Sequence, residues 1–254
     1  MAKARSTRYR RVWITGGSSG IGRALARHYR AAGAEVFLSA RGPERLARVA
    51  EAIGAPAYPL DVTDPKAVHR TVEQIWKEHG PLDLAVLNAG GSPRGEGGLA
   101  SVLEANLRLN TLAAAHAIDA LRPRMRAAGG GTIALVGSLA GYLPLPGGYG
   151  YATSKAALIH FAAGLYPELR REGLDLRLVN PGFVRTPLVE ANRFPMPFIL
   201  EPEEAARRIA RGLEGGRFEI AFPLRLAWPL RLLRALPLTA WVRVLAWADR
   251  RRPR

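Results

Sequence analysis

Arg11-Val12-Trp13-Ile14-Thr15-Gly16-Gly17-Ser18-Ser19-Gly20-Ile21-Gly22 is the stretch that decides the fold. Arg11 to Thr15 reads as a short buried strand. A run of small residues follows, and then Ile21, Leu25, Ala26 and Tyr29 recur at helical spacing. Gly33 closes that helix. Strand, small-residue turn and helix make a first βα unit. Small side chains there let the backbone approach a pyrophosphate, whose charge would sit at the N-terminus of the helix. Glycine also permits positive φ where the chain turns back. The glycines stand at 16, 20 and 22 rather than in the Gly-x-Gly-x-x-Gly form. A tight turn without a ligand is the competing reading of this stretch taken alone.

The same alternation continues outward. Further strands are predicted at 35–40, 57–60, 82–87, 132–136, 174–179 and 218–221. Helices are predicted at 43–53, 64–78, 97–127, 152–171 and 202–214, with Pro43 in a first turn and Asp64 as an N-cap. Strands that are almost continuously apolar and alternate with helices imply a parallel sheet covered on both faces. The expected fold is α/β: a Rossmann-like, doubly wound, seven-stranded parallel sheet with helices on both faces, in a single domain. Residues 1–222 would form the dinucleotide-binding and catalytic domain. Residues 223–254 are a basic, Trp/Leu/Arg-rich C-terminal extension of it.

Composition narrows the function. The 254 residues hold 37 Lys and Arg against 21 Asp and Glu, a net charge of +16. That charge attracts nucleic acid, anionic lipid or phosphorylated ligands. The arginines are spread along the chain and concentrate only at its ends, so nucleic acid is not the expected partner. The absence of cysteine excludes disulfides and Cys-ligated zinc and is compatible with a reducing compartment. No metal site is expected. The basic start, Met1 to Arg11, lacks the long apolar run of a signal peptide, and no uninterrupted apolar stretch reaches membrane-spanning length. The cytoplasm is the expected location, with peripheral membrane association as the alternative.

Thr15 to Gly22 has the Thr-Gly-x-x-x-Gly-x-Gly form, and on it the chain resembles the classical short-chain dehydrogenase/reductase (SDR) family. The resemblance implies that Thr15, Gly16, Ser18, Ser19, Gly20, Ile21 and Gly22 cradle the coenzyme. Where the second strand ends, an acidic residue would receive the ribose hydroxyls of NAD. Here Ala40 takes that place and Arg41 follows, which suits the additional phosphate of NADP. NADP(H) is therefore expected over NAD(H). Asp61-Val62 matches the family's position beside the adenine ring. Asn88-Ala89-Gly90 matches the Asn-Ala-Gly that ends the fourth strand.

Tyr151-Ala-Thr-Ser-Lys155 carries the chemistry. Residues four apart share one face of a helix, so phenol and ammonium point together. Tyrosine titrates near pH ~10, and a neighbouring cation should lower that value toward a usable base. Tyr142 and Tyr149 have no lysine four residues on. Ser138 lies thirteen residues before Tyr151 at the end of the fifth strand, where parallel sheets place ligands. Its hydroxyl can donate to a carbonyl oxygen as negative charge develops. By resemblance a fourth member is an Asn in the helix after the fourth strand. Asn110 fits this position, with Asn106 as the competitor. Asn180 to Pro187 matches the family's loop after the sixth strand, so Pro181, Gly182, Val184 and Thr186 would face the nicotinamide.

The resemblance covers residues 9–222 and implies an oxidoreductase. It would be a carbonyl reductase or alcohol dehydrogenase that moves hydride between nicotinamide and a ketone, aldehyde or secondary alcohol. A lid at Leu188–Leu200, with Phe194, Met196 and Phe198, suggests a hydrophobic substrate part. Pro229 and Pro237 would divide the extension into two short helices that cover the protein, a partner subunit or a membrane surface. A homodimer or homotetramer is expected, through residues 97–127 and 152–171. The alternatives are an epimerase or dehydratase, and a non-catalytic nucleotide-binding or membrane- or polyanion-associating protein on the same fold.

Overall fold

Val12 and Ile14 of the first strand point into one apolar layer, and Trp13 points into the other. The same division recurs at Val36 and Leu38 against Phe37, and at Ala134 and Val136 against Ile133 and Leu135. Period-two alternation with both faces buried is the signature of a sheet sandwiched between helices. The computed structural model describes residues 7–144, 147–190 and 195–250. Its seven strands are β1 (Arg11–Thr15), β2 (Glu35–Ala40), β3 (Ala57–Pro59), β4 (Leu84–Leu87), β5 (Gly131–Val136), β6 (Leu174–Pro181) and β7 (Glu219–Phe222). They are all parallel, in the order β3-β2-β1-β4-β5-β6-β7. The fold expected from the sequence is the fold observed.

One layer holds α1 (Gly20–Ala31), α2 (Pro43–Ile53) and α8 (Pro202–Glu214). The other holds α3 (Pro65–His79), α5 (Ala113–Ala127) and α6 (Tyr149–Arg171). Asp64 caps α3 as predicted, accepting from Lys66 N at 2.9 Å and Ala67 N at 3.1 Å. The chain leaves β1 in one direction and returns to β4 on its other side. That reversal opens a crevice at the carboxyl ends of β1 and β4.

Three readings need correction. The long helix predicted at 97–127 is α4 (Leu99–Leu107), a π turn (Arg108–Leu112) and α5. The widened turn contains Asn110. The sixth helix starts at Tyr149 rather than at 152, so Tyr151 lies in its first turn. In the extension, Pro237 does separate α9 (Leu224–Leu233) from α10 (Leu238–Asp249), but Pro229 lies inside α9. There it removes only one hydrogen bond from a helix already fixed by packing, with Ala227 fully buried. A four-residue helix, α7 (Pro187–Glu190), follows β6.

Candidate active site

The turn after β1 is shaped by the residue that follows β4. Asn88 Nδ2 donates to Thr15 O at 3.0 Å and to Gly16 O at 3.4 Å. Thr15 Oγ1 accepts from Asn88 N and Ala89 N, both at 3.0 Å. Gly16 has φ +67°, and a Cβ there would fall 2.8 Å from Asn88 Nδ2. A Cβ on Gly22 would fall 2.3 Å from Gly16 O, so turn and helix are in backbone contact. Gly20 faces the other side, where its Cβ would meet Thr186 Cγ2 at 2.8 Å. The cradle therefore runs from Gly16 to the loop after β6, with Ser18 buried and Ser19 and Ile21 half-buried along it. Ser19 makes no side-chain cap, and the first turn of α1 carries no acidic residue. Backbone N–H groups at an uncapped helix start free of carboxylates suit a pyrophosphate.

Arg41 is exposed just beyond β2. It lies within electrostatic reach of Asp61, as does Arg108. Burial raises the Asp61 carboxyl pKa, but Thr63 and the two arginines outweigh it and hold the group below its ordinary value. Asp61 Oδ1 receives both Thr63 N at 2.9 Å and Thr63 Oγ1 at 2.8 Å. Val62 beside it is buried.

At the end of β5, Ser138 Oγ accepts from Ala140 N at 3.1 Å and starts a single 3₁₀ turn, Leu139–Gly141. A Cβ on Gly141 would fall 2.7 Å from the carbonyl carbon of Lys155. Gly141 thus lets this turn lie directly on α6, which brings Ser138 to Tyr151. Lys155 is 4% exposed, and its Nζ donates to Val136 O at 2.8 Å. It stands 5.8 Å from the Tyr151 ring centroid. Burial pulls the Lys155 pKa down to about 8.

The Tyr151 pKa departs from the expectation. Burial is the dominant influence and pushes the phenol up, while the Ser138 hydroxyl, hydrogen-bonded to it, opposes the rise. The ammonium of Lys155 donates to the Val136 carbonyl rather than to the phenol.

Both asparagines in the helix after β4 are buried, with different partners. Asn110 Oδ1 accepts from Gly91 N at 3.0 Å, and its Nδ2 donates to Gly91 O at 2.8 Å and Ser154 Oγ at 3.0 Å. A Cβ on Gly90 would lie 2.8 Å from Asn110 Oδ1 and 3.3 Å from Lys155 Nζ. Asn110 therefore adjoins the lysine and ties the β4 loop to α6. Asn106 Nδ2 instead donates to Pro93 O and Val102 O, both at 2.8 Å.

At the end of β6, Pro181 pairs with Phe222, and beyond it Val184 bridges to Leu200. That bridge fastens the base of the predicted lid. Phe194 lies outside the described residues. Met196 is half-buried, and Phe198 is 49% exposed with φ 58°.

One cluster had no signal in the sequence. Glu219 Oε1 receives Tyr142 Oη at 2.5 Å and Asn180 Nδ2 at 2.7 Å, and Oε2 receives Arg231 Nη2 at 2.6 Å. Burial pushes the Glu219 carboxyl up, but these donors win and hold it below its ordinary value. The cluster joins β7, α9 and the turn after Ser138. Gly182 adds to it, because a Cβ there would touch Leu226 at 3.0 Å and Leu139 at 3.4 Å. The extension is thus braced against the loops that carry the site.

The family model described as short chain dehydrogenase matches residues 10–195. An uncharacterized oxidoreductase of Myxococcus xanthus is 35% identical over 236 residues, covering 90% of this chain and 93% of that protein. A short-chain dehydrogenase from Streptomyces avermitilis shares the fold with a TM-score of 0.77 and 29% identity, over 94% of this chain and 99% of that one. L-Sorbose reductase from Gluconobacter frateurii, solved with NADPH and L-sorbose, gives a TM-score of 0.74 and 27% identity, over 87% and 96%.

Proposed function

The chain belongs to the short chain dehydrogenase family, and from that premise we propose that it is an NADP(H)-dependent carbonyl reductase or alcohol dehydrogenase. The observation that carries this reading is the convergence of Ser138, Tyr151 and Lys155 at the carboxyl edge of β5. Beside them, Asn110 occupies the space that a Gly90 side chain would need. The nicotinamide coenzyme supplies or accepts the hydride when bound. Residues Thr15 to Gly22 would hold its pyrophosphate, Arg41 its additional phosphate, and Asp61 and Val62 its adenine end. Asn88, Ala89, Gly90, Pro181, Gly182, Val184 and Thr186 would line its nicotinamide half. The NADPH of the sorbose reductase, a relative at 27% identity, supports the choice of coenzyme.

In reduction, Ser138 Oγ donates to the substrate oxygen and fixes it against Tyr151. Tyr151 Oη then gives its proton to that oxygen. A buried phenol keeps its proton at neutral pH, which suits the acid role. Lys155, with a pKa near 8, can hold and release a proton near neutrality and so reload the phenol. Asn110 keeps the loop at Gly91 and the α6 backbone at Ser154 in register with it. The apolar lid favours a substrate with a hydrophobic part. We place the enzyme in the cytoplasm as a homodimer or homotetramer, with exposed Leu99 and Leu112 among its contacts.

Paired fluorescence titrations with NADPH and NADH test the reading. NADPH should bind at least about tenfold tighter, roughly 1.4 kcal/mol, and Arg41→Ala should remove the difference. Equal affinities in the wild type would overturn the NADP preference. Failure of both nucleotides to bind would overturn the oxidoreductase reading.

A further inference from the structure

The two helices of the extension present an apolar surface that the domain does not cover. On α9, Leu224, Trp228 and Leu232 recur every four residues and are 58%, 56% and 69% exposed. On α10, Leu238 is 67% exposed, whereas Val242 lines a cleft with Tyr149 and Thr153 and stands apart from the stripe. Patches of this kind on a soluble protein mark an interaction surface. The inner face of the same helices is fixed. Ala227 is fully buried, Arg231 is held by Glu219, and Trp241 Nε1 donates to Pro144 O at 3.4 Å. The stripe is therefore presented outward on an anchored scaffold.

Its charge is one-sided. Residues 223–248 contain Arg225, Arg231, Arg234 and Arg243 and no acidic residue. The whole of 223–254 holds eight arginines and a single acid, Asp249. Arg225, Arg234 and Arg243 are exposed, and the Arg231 guanidinium lies 5.8 Å over the Trp228 ring. Leucine, tryptophan and arginine interleaved on short amphipathic helices match the boundary between acyl chains and phosphates.

We propose that this face docks on the surface of an anionic phospholipid bilayer. Leu224, Trp228, Leu232 and Leu238 enter the acyl boundary, and Arg225, Arg234 and Arg243 meet lipid phosphates. The contact is peripheral: among the described residues no helix is long and apolar enough to cross a membrane. A second copy of the chain fits the face less well, because two arginine-rich extensions would oppose like charges. A nucleic acid would satisfy the arginines and leave the leucines facing phosphate. The inference goes beyond the proposed catalysis and stands without it.

The full chain is mixed with sedimenting vesicles of phosphatidylcholine alone, and of phosphatidylcholine with one-third phosphatidylglycerol, at low and high salt. The chain should sediment with the anionic vesicles and be weakened by salt. A Leu232→Gln/Leu238→Gln variant, with an unchanged thermal midpoint, should bind about tenfold more weakly. An Arg225→Gln/Arg234→Gln/Arg243→Gln variant should lose the preference for phosphatidylglycerol. Three results overturn the proposal: no sedimentation with either vesicle, no preference for the anionic one, or undiminished binding by both variants. A wild type whose molar mass by light scattering falls on the leucine substitutions would assign the face to a second copy instead.

Discussion

Replacing Lys155 with methionine should remove a cost that the fold carries at neutral pH. Burial lowers the lysine pKa from its ordinary 10.5 to about 8. A cation with a depressed folded pKa destabilises the protein below that value, and the penalty fades as pH rises toward the unfolded pKa. With these two values the penalty is about 3 kcal/mol near pH 7 and about 1 kcal/mol near pH 10. The wild type should therefore gain about 2–3 kcal/mol on the Lys155→Met variant over that interval. Loss of the hydrogen bond to Val136 O adds an offset of about 1 kcal/mol that does not follow pH. Groups distant from residue 155 titrate alike in both proteins and cancel in the difference. Urea unfolding of the coenzyme-free proteins, followed by circular dichroism across this range, measures the gap. A gap that stays flat from pH 7 to pH 10 would refute the claim that the ammonium is desolvated in the fold. Turnover should be lost in the variant at every pH, so the more apolar protein would be the inactive one.

Two further substitutions probe the supports of the site. Gly90→Ala would set a methyl group 2.8 Å from Oδ1 of Asn110, whose amide both accepts from Gly91 N and donates to Gly91 O. It should cost about 1–3 kcal/mol in thermal unfolding and lower turnover more than coenzyme affinity; an unchanged midpoint would speak against the contact. Glu219→Gln keeps the shape of its cluster but removes the charge that Arg231 meets. It should destabilise by about 1–3 kcal/mol at neutral pH. Because the carboxyl pKa is lowered in the fold, this contribution should be full above the ordinary carboxylate range and fall away as the solution is acidified. Urea midpoints at neutral and acid pH decide this, and a loss that grows with acid contradicts it.

Local pattern was enough for much of the molecule. Largely apolar runs located all seven strands; the inner ones are buried on both faces and show little polar side to confuse the reading, whereas the edge strands β3 and β7 expose alternate residues. Asp64 before Pro65 located the start of α3. The four-residue step from Tyr151 to Lys155 put both on one helix face. Long-range pairing was not legible. Glu219 and Arg231 sit on elements whose meeting depends on how α9 packs, and Tyr142 looked idle by the spacing rule until the chain brought it to Glu219. The rise in the Tyr151 pKa came from burial, which residue spacing does not report. Pro229 misled for a similar reason: its effect on α9 depends on tertiary packing that propensity omits.

The bonds from Asn88 to Thr15 and Gly16 span 73 and 72 positions of chain. As the polypeptide emerges in synthesis, β1, the turn and α1 appear long before the strand that shapes them. The turn then has no partner for the Gly16 carbonyl and no reason to keep a single conformation. Nucleotide affinity should arrive late in folding, with the pairing of β4 to β1, rather than with the motif itself. A nascent chain halted before Asn88 would carry the complete glycine signature and still lack the shape that the signature encodes.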